Sequence, residues 1–143
     1  MKKKRIPRVC ALDLGASRVG VAVSDELGLL AHPRGVFDGK DQRKLLQAVK
    51  ALADDEALDR ILVGLPLHMS GREGEGAKRA RMLAQAIANA TGLEVELLDE
   101  RLTTVEAKRS LRDSGVHGKK AKAHIDEASA VVMLQAWLDT RRP

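Results

Sequence analysis

The chain has 143 residues, 44% of them hydrophobic and 31% charged, the size and balance of one globular domain. A single cysteine, Cys10, excludes an internal disulfide and most cysteine-based metal sites, and one Phe, one Trp and no Tyr argue against an aromatic platform for stacking bases. The net charge of +5 sits in residues 1–8, MKKKRIPR, which hold five basic groups and no acid, so the remaining 20 basic groups balance the 20 acids.

Residues 1–8 read as a flexible basic arm, and such arms often touch nucleic acid; Lys2, Lys3, Lys4 and Arg5 are its candidate phosphate contacts. No long apolar run follows it, so it is no signal peptide. No segment reaches the about 20 apolar residues of a membrane span. The expectation is a cytoplasmic protein without membrane contact, whose residues 9–143 form one domain.

In chain order, Val9 to Leu14 and Val19 to Ser24 alternate small and β-branched residues, and GASR between them suits a hairpin turn. A short strand is expected near Gly35-Val36-Phe37. Asp41 to Asp54 places Leu45, Leu46, Val49 and Leu52 on one helical face. RILVGLP is a short apolar run closed by Gly64 and Pro66, as in a buried strand. LHMSGREGEG reads as a glycine-rich loop. Ala77 to Ala90 is a helix with Ala80, Leu83, Ala84 and Ile87 in register. LEVELLDE is the next strand. TTVE at 103–106 fits a capping box and starts another helix. GVHGKKAKAH has two glycines and no apolar period, and reads as a loop. Ile125 to Leu138 is a helix apolar on nearly every side. A starting hairpin followed by alternating strands and helices predicts an α/β fold with a mixed sheet covered on both faces.

The acids are the informative residues. Asp13 lies in a strand flanked by Ala11, Leu12 and Leu14, where an unpaired buried carboxylate is costly. Asp99 and Glu100 end the strand EVELL, and Asp126 opens the apolar last helix. Each has an ordinary structural explanation: Asp13 can cap the turn at Gly15, Asp126 can complement a helix dipole, and Asp99 or Glu100 can pair with Arg101. Together they differ. Three acids from separate elements, at strand ends and a helix start, can converge, and convergent carboxylates persist where a cation neutralises them. All-oxygen ligation suits Mg²⁺ or Mn²⁺. Phosphodiester cleavage uses such a set, because two ions about 3.5–4 Å apart activate a water and stabilise the leaving oxygen. None of His32, His68, His117 and His124 has metal-ligand spacing to another. Between Arg101 and His124 seven Lys or Arg face two acids, so the otherwise neutral domain can carry a positive face.

Four stretches, ALDLGASRVGVAVSD, VGLPLHMSGREGEGAKRA, LLDERLTTVEA and HIDEASAVVMLQAWLD, together resemble the YqgF (RuvX-like) family over residues 8 to 139. These are ribonuclease H-like proteins described as Holliday junction resolvases and as nucleases maturing the end of pre-16S ribosomal RNA. The resemblance implies a ribonuclease H-like mixed five-stranded sheet, antiparallel at its hairpin start and then parallel, with helices on both faces. It implies a catalytic and metal-holding set of Asp13, Glu100 and Asp126, with Mg²⁺ or Mn²⁺ as cofactor. Gly15, Gly64 and Gly71 match backbone positions near the site, and Arg18 and Arg101 match positions suited to phosphate. Ala16 and Ser17 depart from the Thr and Lys more usual in the family. Asp99 is the alternative to Glu100 as ligand; on a continuing strand the two point to opposite faces, so one of them reaches the metals.

The function this implies is a divalent-metal-dependent nuclease acting on structured nucleic acid, in the processing of the pre-16S ribosomal RNA end. Ribosomal precursor particles are then candidate partners. Two alternatives stand beside it. A Holliday junction resolvase acts on branched DNA and needs two sites about a two-fold axis, hence a homodimer, for which Trp137 is a candidate anchor. A non-catalytic nucleic-acid-binding module would not need the acidic trio. The actin-like ATPases share the Asp-Leu-Gly hairpin but need two such domains, and 143 residues supply one. Lys119, Lys120 and Lys122 of the 115–124 loop are further candidate phosphate contacts.

Overall fold

The computed structural model describes the backbone of residues 6–100 and 118–141 and the side chains of 6–100 and 127–141. Five strands, β1 (Val9–Leu14), β2 (Arg18–Ser24), β3 (Ala31–Asp38), β4 (Arg60–Leu65) and β5 (Glu94–Asp99), form one sheet in the order β3-β2-β1-β4-β5. The pairs β1/β2 and β2/β3 are antiparallel, while β1/β4 and β4/β5 are parallel. This is the mixed sheet, antiparallel first and parallel after, that the sequence leads one to expect. Three helices are described: α1 (Gln42–Asp55), α2 (Glu75–Thr91) and α3 (Gly118–Asp139).

The period-2 alternation of the strands divides the core between two sheet faces. Cys10, Leu12, Val19, Val21, Ile61 and Val63 face α1 and α2, where Leu45, Val49, Leu83 and Ile87 meet them. Val9, Ala11, Ala22 and Leu62 face α3, which contributes Ala130, Met133, Leu134 and Leu138. Ala11, Ala22 and Ala130 are small, which lets α3 lie close on the sheet. Large aliphatics such as Leu12, Ile61, Leu62, Ile87 and Leu134 are fully buried, each contributing about 1.5–3 kcal/mol against exposure. That is how a chain nearly free of aromatics builds its core. Asp41 caps α1 by accepting from the Lys44 amide at 3.2 Å. Gly92, at φ +73°, ends α2 in the left-handed conformation, its amide on the Ala88 carbonyl.

Three expectations change. Strand β3 runs over eight residues rather than near Gly35 alone. His32, Pro33 and Arg34 are exposed on the sheet edge, where Pro33 removes a donor that no further strand needs. Two side chains of α3 serve the neighbouring donors: Gln135 accepts from the Ala31 amide at 2.9 Å and Glu127 from the Gly35 amide at 2.7 Å. Second, residues 118–124 are helical rather than loop, and α3 begins at Gly118. The lysines and alanines there lack an apolar period but are strong helix formers, so propensity decides where pattern is silent. Third, Arg8 belongs to the folded body: its amide donates to Asp59 at 2.7 Å, its Nε to the Ser24 carbonyl at 3.1 Å, and its Nη2 lies 3.0 Å from Glu56. Residues 1–5 and the helix expected from Thr103 lie outside the described residues.

Candidate active site

Strand alternation fixes where each acid goes. On β1, Val9 and Ala11 face α3, so Asp13 faces it too, at the carboxyl end of the strand, and is 3% exposed. Open α/β sheets keep their ligand crevices at that end. Asp13 pairs with Gly20 on β2. On its other side Leu12 pairs with Val63 on β4, which brings Gly64 alongside Asp13, on the same face as Leu62. The carboxylate therefore rises from the sheet between two positions without side chains.

Gly64 is bare for a visible reason. The side chain of Glu100, reaching over from the end of β5, lies across it. A Cβ at Gly64 would stand 2.5 Å from Glu100 Oε1, 2.8 Å from Cδ and 2.9 Å from Cγ. Glu100 is 9% exposed. Asp13 thus comes from β1 and Glu100 from just past the end of β5, on either side of Gly64 of β4 and on the α3 face of the sheet. Along β5, Val95 and Leu97 pack on the α1/α2 side and Leu98 on the α3 side, so alternation puts Asp99 on the face opposite Glu100.

The backbone of Asp126 lies in α3, and its side chain is outside the described residues. The helix is tied to β3 by Glu127 at Gly35 and Gln135 at Ala31. Val36, next to Gly35, pairs with Gly20, which pairs with Asp13. The stretch of α3 around Glu127, next to Asp126, therefore stands near the level of Asp13. Lys119, Lys120 and Lys122 occupy the first turns of the same helix, again without described side chains. Lys2, Lys3, Lys4, Arg5 and Arg101 lie outside the described residues.

Arg18 opens β2 beyond Gly20 and lines a cleft of about 410 Å³ with Ser17, Val36, Phe37, Asp38 and Lys40. Across the β1–β2 turn, Arg79 of α2 donates through Nη1 to the Gly15 carbonyl. The Gly15 amide donates to the Arg18 carbonyl at 2.7 Å, and the Gly39 amide to the Ser17 carbonyl at 2.9 Å. The glycine-rich segment after β4 is an ordered turn: Leu67 bridges Glu73, His68 donates to the Arg72 carbonyl, and Gly71 adopts φ +91°. Arg79 lies within the stretch VGLPLHMSGREGEGAKRA, yet neither it nor Lys40 is singled out by the sequence, because a basic residue on a helix or loop looks like any solvated charge. Trp137 is engaged within the chain, donating to Glu96 at 2.6 Å with the Arg141 guanidinium 3.8 Å above its ring.

Among the described residues no group of three His, Cys, Asp or Glu side chains forms a metal cage. The donors that are described, two buried carboxylates over a glycine floor, are hard oxygen ligands of the kind Mg²⁺ and Mn²⁺ take. Cys10 is no ligand: burial, with Glu56 adding to it, pushes its thiol up to about 12, as suits a small buried hydrophobe.

Residues 7–140 match the family model described as RuvX, Holliday junction resolvase. The chain belongs to the RuvX family. A relative from Anaeromyxobacter sp. (strain Fw109-5), 40% identical over 94% of this chain and 98% of its own length, carries the name "Putative pre-16S rRNA nuclease". A relative from Mycobacterium ulcerans, 43% identical over 94% of this chain and 80% of its own length, carries the same name. RuvC from T. thermophilus, in complex with a Holliday junction substrate, superposes with a TM-score of 0.58 at 18% identity, over 93% of this chain and 95% of that one. The fowlpox virus Holliday junction resolvase superposes at 0.56 with 9% identity, over 93% and 99%. These likenesses establish the ribonuclease H-like fold of this RuvX member and its place in a family of nucleases.

Proposed function

We propose that this RuvX protein is a divalent-metal-dependent nuclease that hydrolyses a phosphodiester bond at the end of the 16S ribosomal RNA precursor, in the cytoplasm. One observation carries the reading: Asp13 and Glu100, both buried, share a sheet face across Gly64, whose missing side chain leaves Glu100 its place. A chain that only bound nucleic acid would gain nothing from two like charges sunk into one crevice, where each raises the cost of the other. The names of the relatives support the RNA substrate.

Asp13, Glu100 and Asp126 would hold Mg²⁺ or Mn²⁺, which when bound activates a water and stabilises the leaving oxygen. The chain's own contribution is placement. The sheet fixes Asp13 between two paired strands, Gly64 admits Glu100, and Asp99 is turned to the other face. Arg18 sits beside the crevice as a phosphate contact, and Arg101, Lys119, Lys120, Lys122 and the arm from Lys2 to Arg5 extend the positive surface.

The family description favours a second reading, cleavage of branched DNA, which would require a homodimer to cut two strands symmetrically. A single experiment separates them. An RNA carrying the precursor end and a synthetic four-way DNA junction are each incubated with the protein in Mg²⁺, Mn²⁺ or EDTA. The RNA reading expects metal-dependent cleavage of the RNA, lost in Asp13→Asn and Glu100→Gln. Cleavage of the junction alone favours the second reading. Binding without cleavage in either metal leaves a nucleic-acid-binding module.

A further inference from the structure

Five of the arginines with described side chains pair with glutamates: Arg8 and Arg34 with Glu56, Arg60 with Glu94, Arg81 with Glu73, and Arg141 with Glu96. Arg79 differs. It is half-buried, and among the described residues its polar partner is a neutral carbonyl, that of Gly15. A guanidinium has five donors, and this bond uses one. A partly desolvated cation that faces no carboxylate among the described residues is poised for an anion from outside the chain.

Its position says which anion. Gly15 lies two residues beyond Asp13, on the turn that leads to Arg18. Nη2 of Arg79 lies 3.3 Å from where a Cβ on Gly39 would stand, and the Arg18 amide 3.5 Å from the same point. Gly39 thus leaves room for the guanidinium, and its chain neighbours Asp38 and Lys40 line the cleft with Ser17 and Arg18. Asp38 is not a competing partner of Arg79; its Oδ1 accepts from the Lys40 amide at 2.9 Å. Three cations, Arg18, Lys40 and Arg79, therefore gather around one turn. Arg79 approaches it from the α2 face of the sheet, and Asp13 from the α3 face.

Resting on the nuclease reading above, we infer that Arg79 is a phosphate-binding residue. It holds a backbone phosphate flanking the scissile one, where the nucleic-acid strand crosses the carboxyl end of the sheet. The hydrogen bond to Gly15 orients the planar fork, leaving its other donors for two phosphate oxygens at once. Arg18 and Lys40 make up the rest of the subsite. The contact is to the backbone, so it adds affinity without base selectivity.

The test is fluorescence anisotropy with a labelled RNA carrying the precursor end, in EDTA to prevent cleavage, between 50 and 200 mM salt. Wild type, Arg79→Met and Arg79→Lys are compared, with thermal melts of each. Arg79→Met is expected to bind about 3–10-fold more weakly at the lowest salt, and to lose about 0.7–0.9 from the slope of log K against log salt, the share of one phosphate contact. Arg79→Lys keeps the charge and most of the slope. An unchanged slope in Arg79→Met while wild type binds overturns the inference and leaves the nuclease reading standing. So does weakened binding in both variants that follows a lowered melting temperature with no change in slope. Wild type that binds no nucleic acid overturns both.

Discussion

Gly64→Ala is the sharpest perturbation of this site, because it adds one methyl group where the chain has left space for a carboxylate. The new Cβ would stand 2.5 Å from Glu100 Oε1, 2.8 Å from Cδ and 2.9 Å from Cγ, against 3.4–4 Å for ordinary contact. Oε1 must retreat by about 0.9 Å and Cγ by about 0.5 Å, so the whole side chain moves rather than its tip alone. A misplacement of about 1 Å at a reacting centre can cost on the order of 100-fold in rate. The effect on stability is smaller. Overpacking costs about 1–3 kcal/mol, and the loss of glycine's freedom in the unfolded chain offsets about 0.4–1 kcal/mol of it. Single-turnover cleavage well below the melting temperature should therefore fall about 100-fold while the protein stays folded. A double-mutant cycle with Glu100→Asp isolates the cause. The shorter side chain withdraws from Gly64, so Gly64→Ala should cost less in the Glu100→Asp background than in wild type. Wild-type rates in Gly64→Ala, or costs that simply add, would show that the Glu100 carboxylate does not depend on the space at Gly64.

Three further outcomes follow from the same geometry. In EDTA, Asp13→Asn should melt at or above the wild-type temperature, because it relieves like-charge repulsion in the crevice. With Mn²⁺ at a hundredfold its Kd, wild type alone should gain about 2.7 kcal/mol; a variant that unfolds in EDTA would make Asp13 a structural group instead. The Cys10 thiol should resist alkylation in the native protein at pH 8 and react on unfolding. Its pKa is raised on folding, from 9.0 to about 12, so its contribution to stability is complete below pH 9 and is lost as pH rises from there through about 12; native labelling at pH 8 would contradict its burial. Deleting residues 2–5 should weaken binding equally for RNA and DNA and flatten the salt dependence, whereas an unchanged slope would make the arm a bystander.

Much of this fold is legible in the sequence because two periods carry it. The alternation in VCALDL and RVGVAVS, and the helical spacing of Leu45, Val49 and Leu52, give elements whose buried residues are the ones observed. What escaped is what those periods do not encode. Exposed His32, Pro33 and Arg34 hide an edge strand, since its donors are met by α3 side chains about a hundred residues away. KKAKAH has no apolar stripe, yet its composition suffices for a helix. At the site, Asp13 and Glu100 stand out because a carboxylate in an apolar strand is an anomaly that physics must resolve. The opposite orientations of Asp99 and Glu100 follow from strand alternation. The placement of Arg79 is not legible in sequence, because only the folded turn brings it to Gly15.

On the proposed function, Glu100, across Gly64 from Asp13, holds the metal and Asp99 does not. Calorimetric titration of Mn²⁺ into wild type, Glu100→Gln and Asp99→Asn tests it most directly. Wild type and Asp99→Asn should bind with similar affinity, and Glu100→Gln should lose at least tenfold, an energy of about 1.4 kcal/mol. Retained binding in Glu100→Gln together with its loss in Asp99→Asn would make Asp99, not Glu100, the ligand.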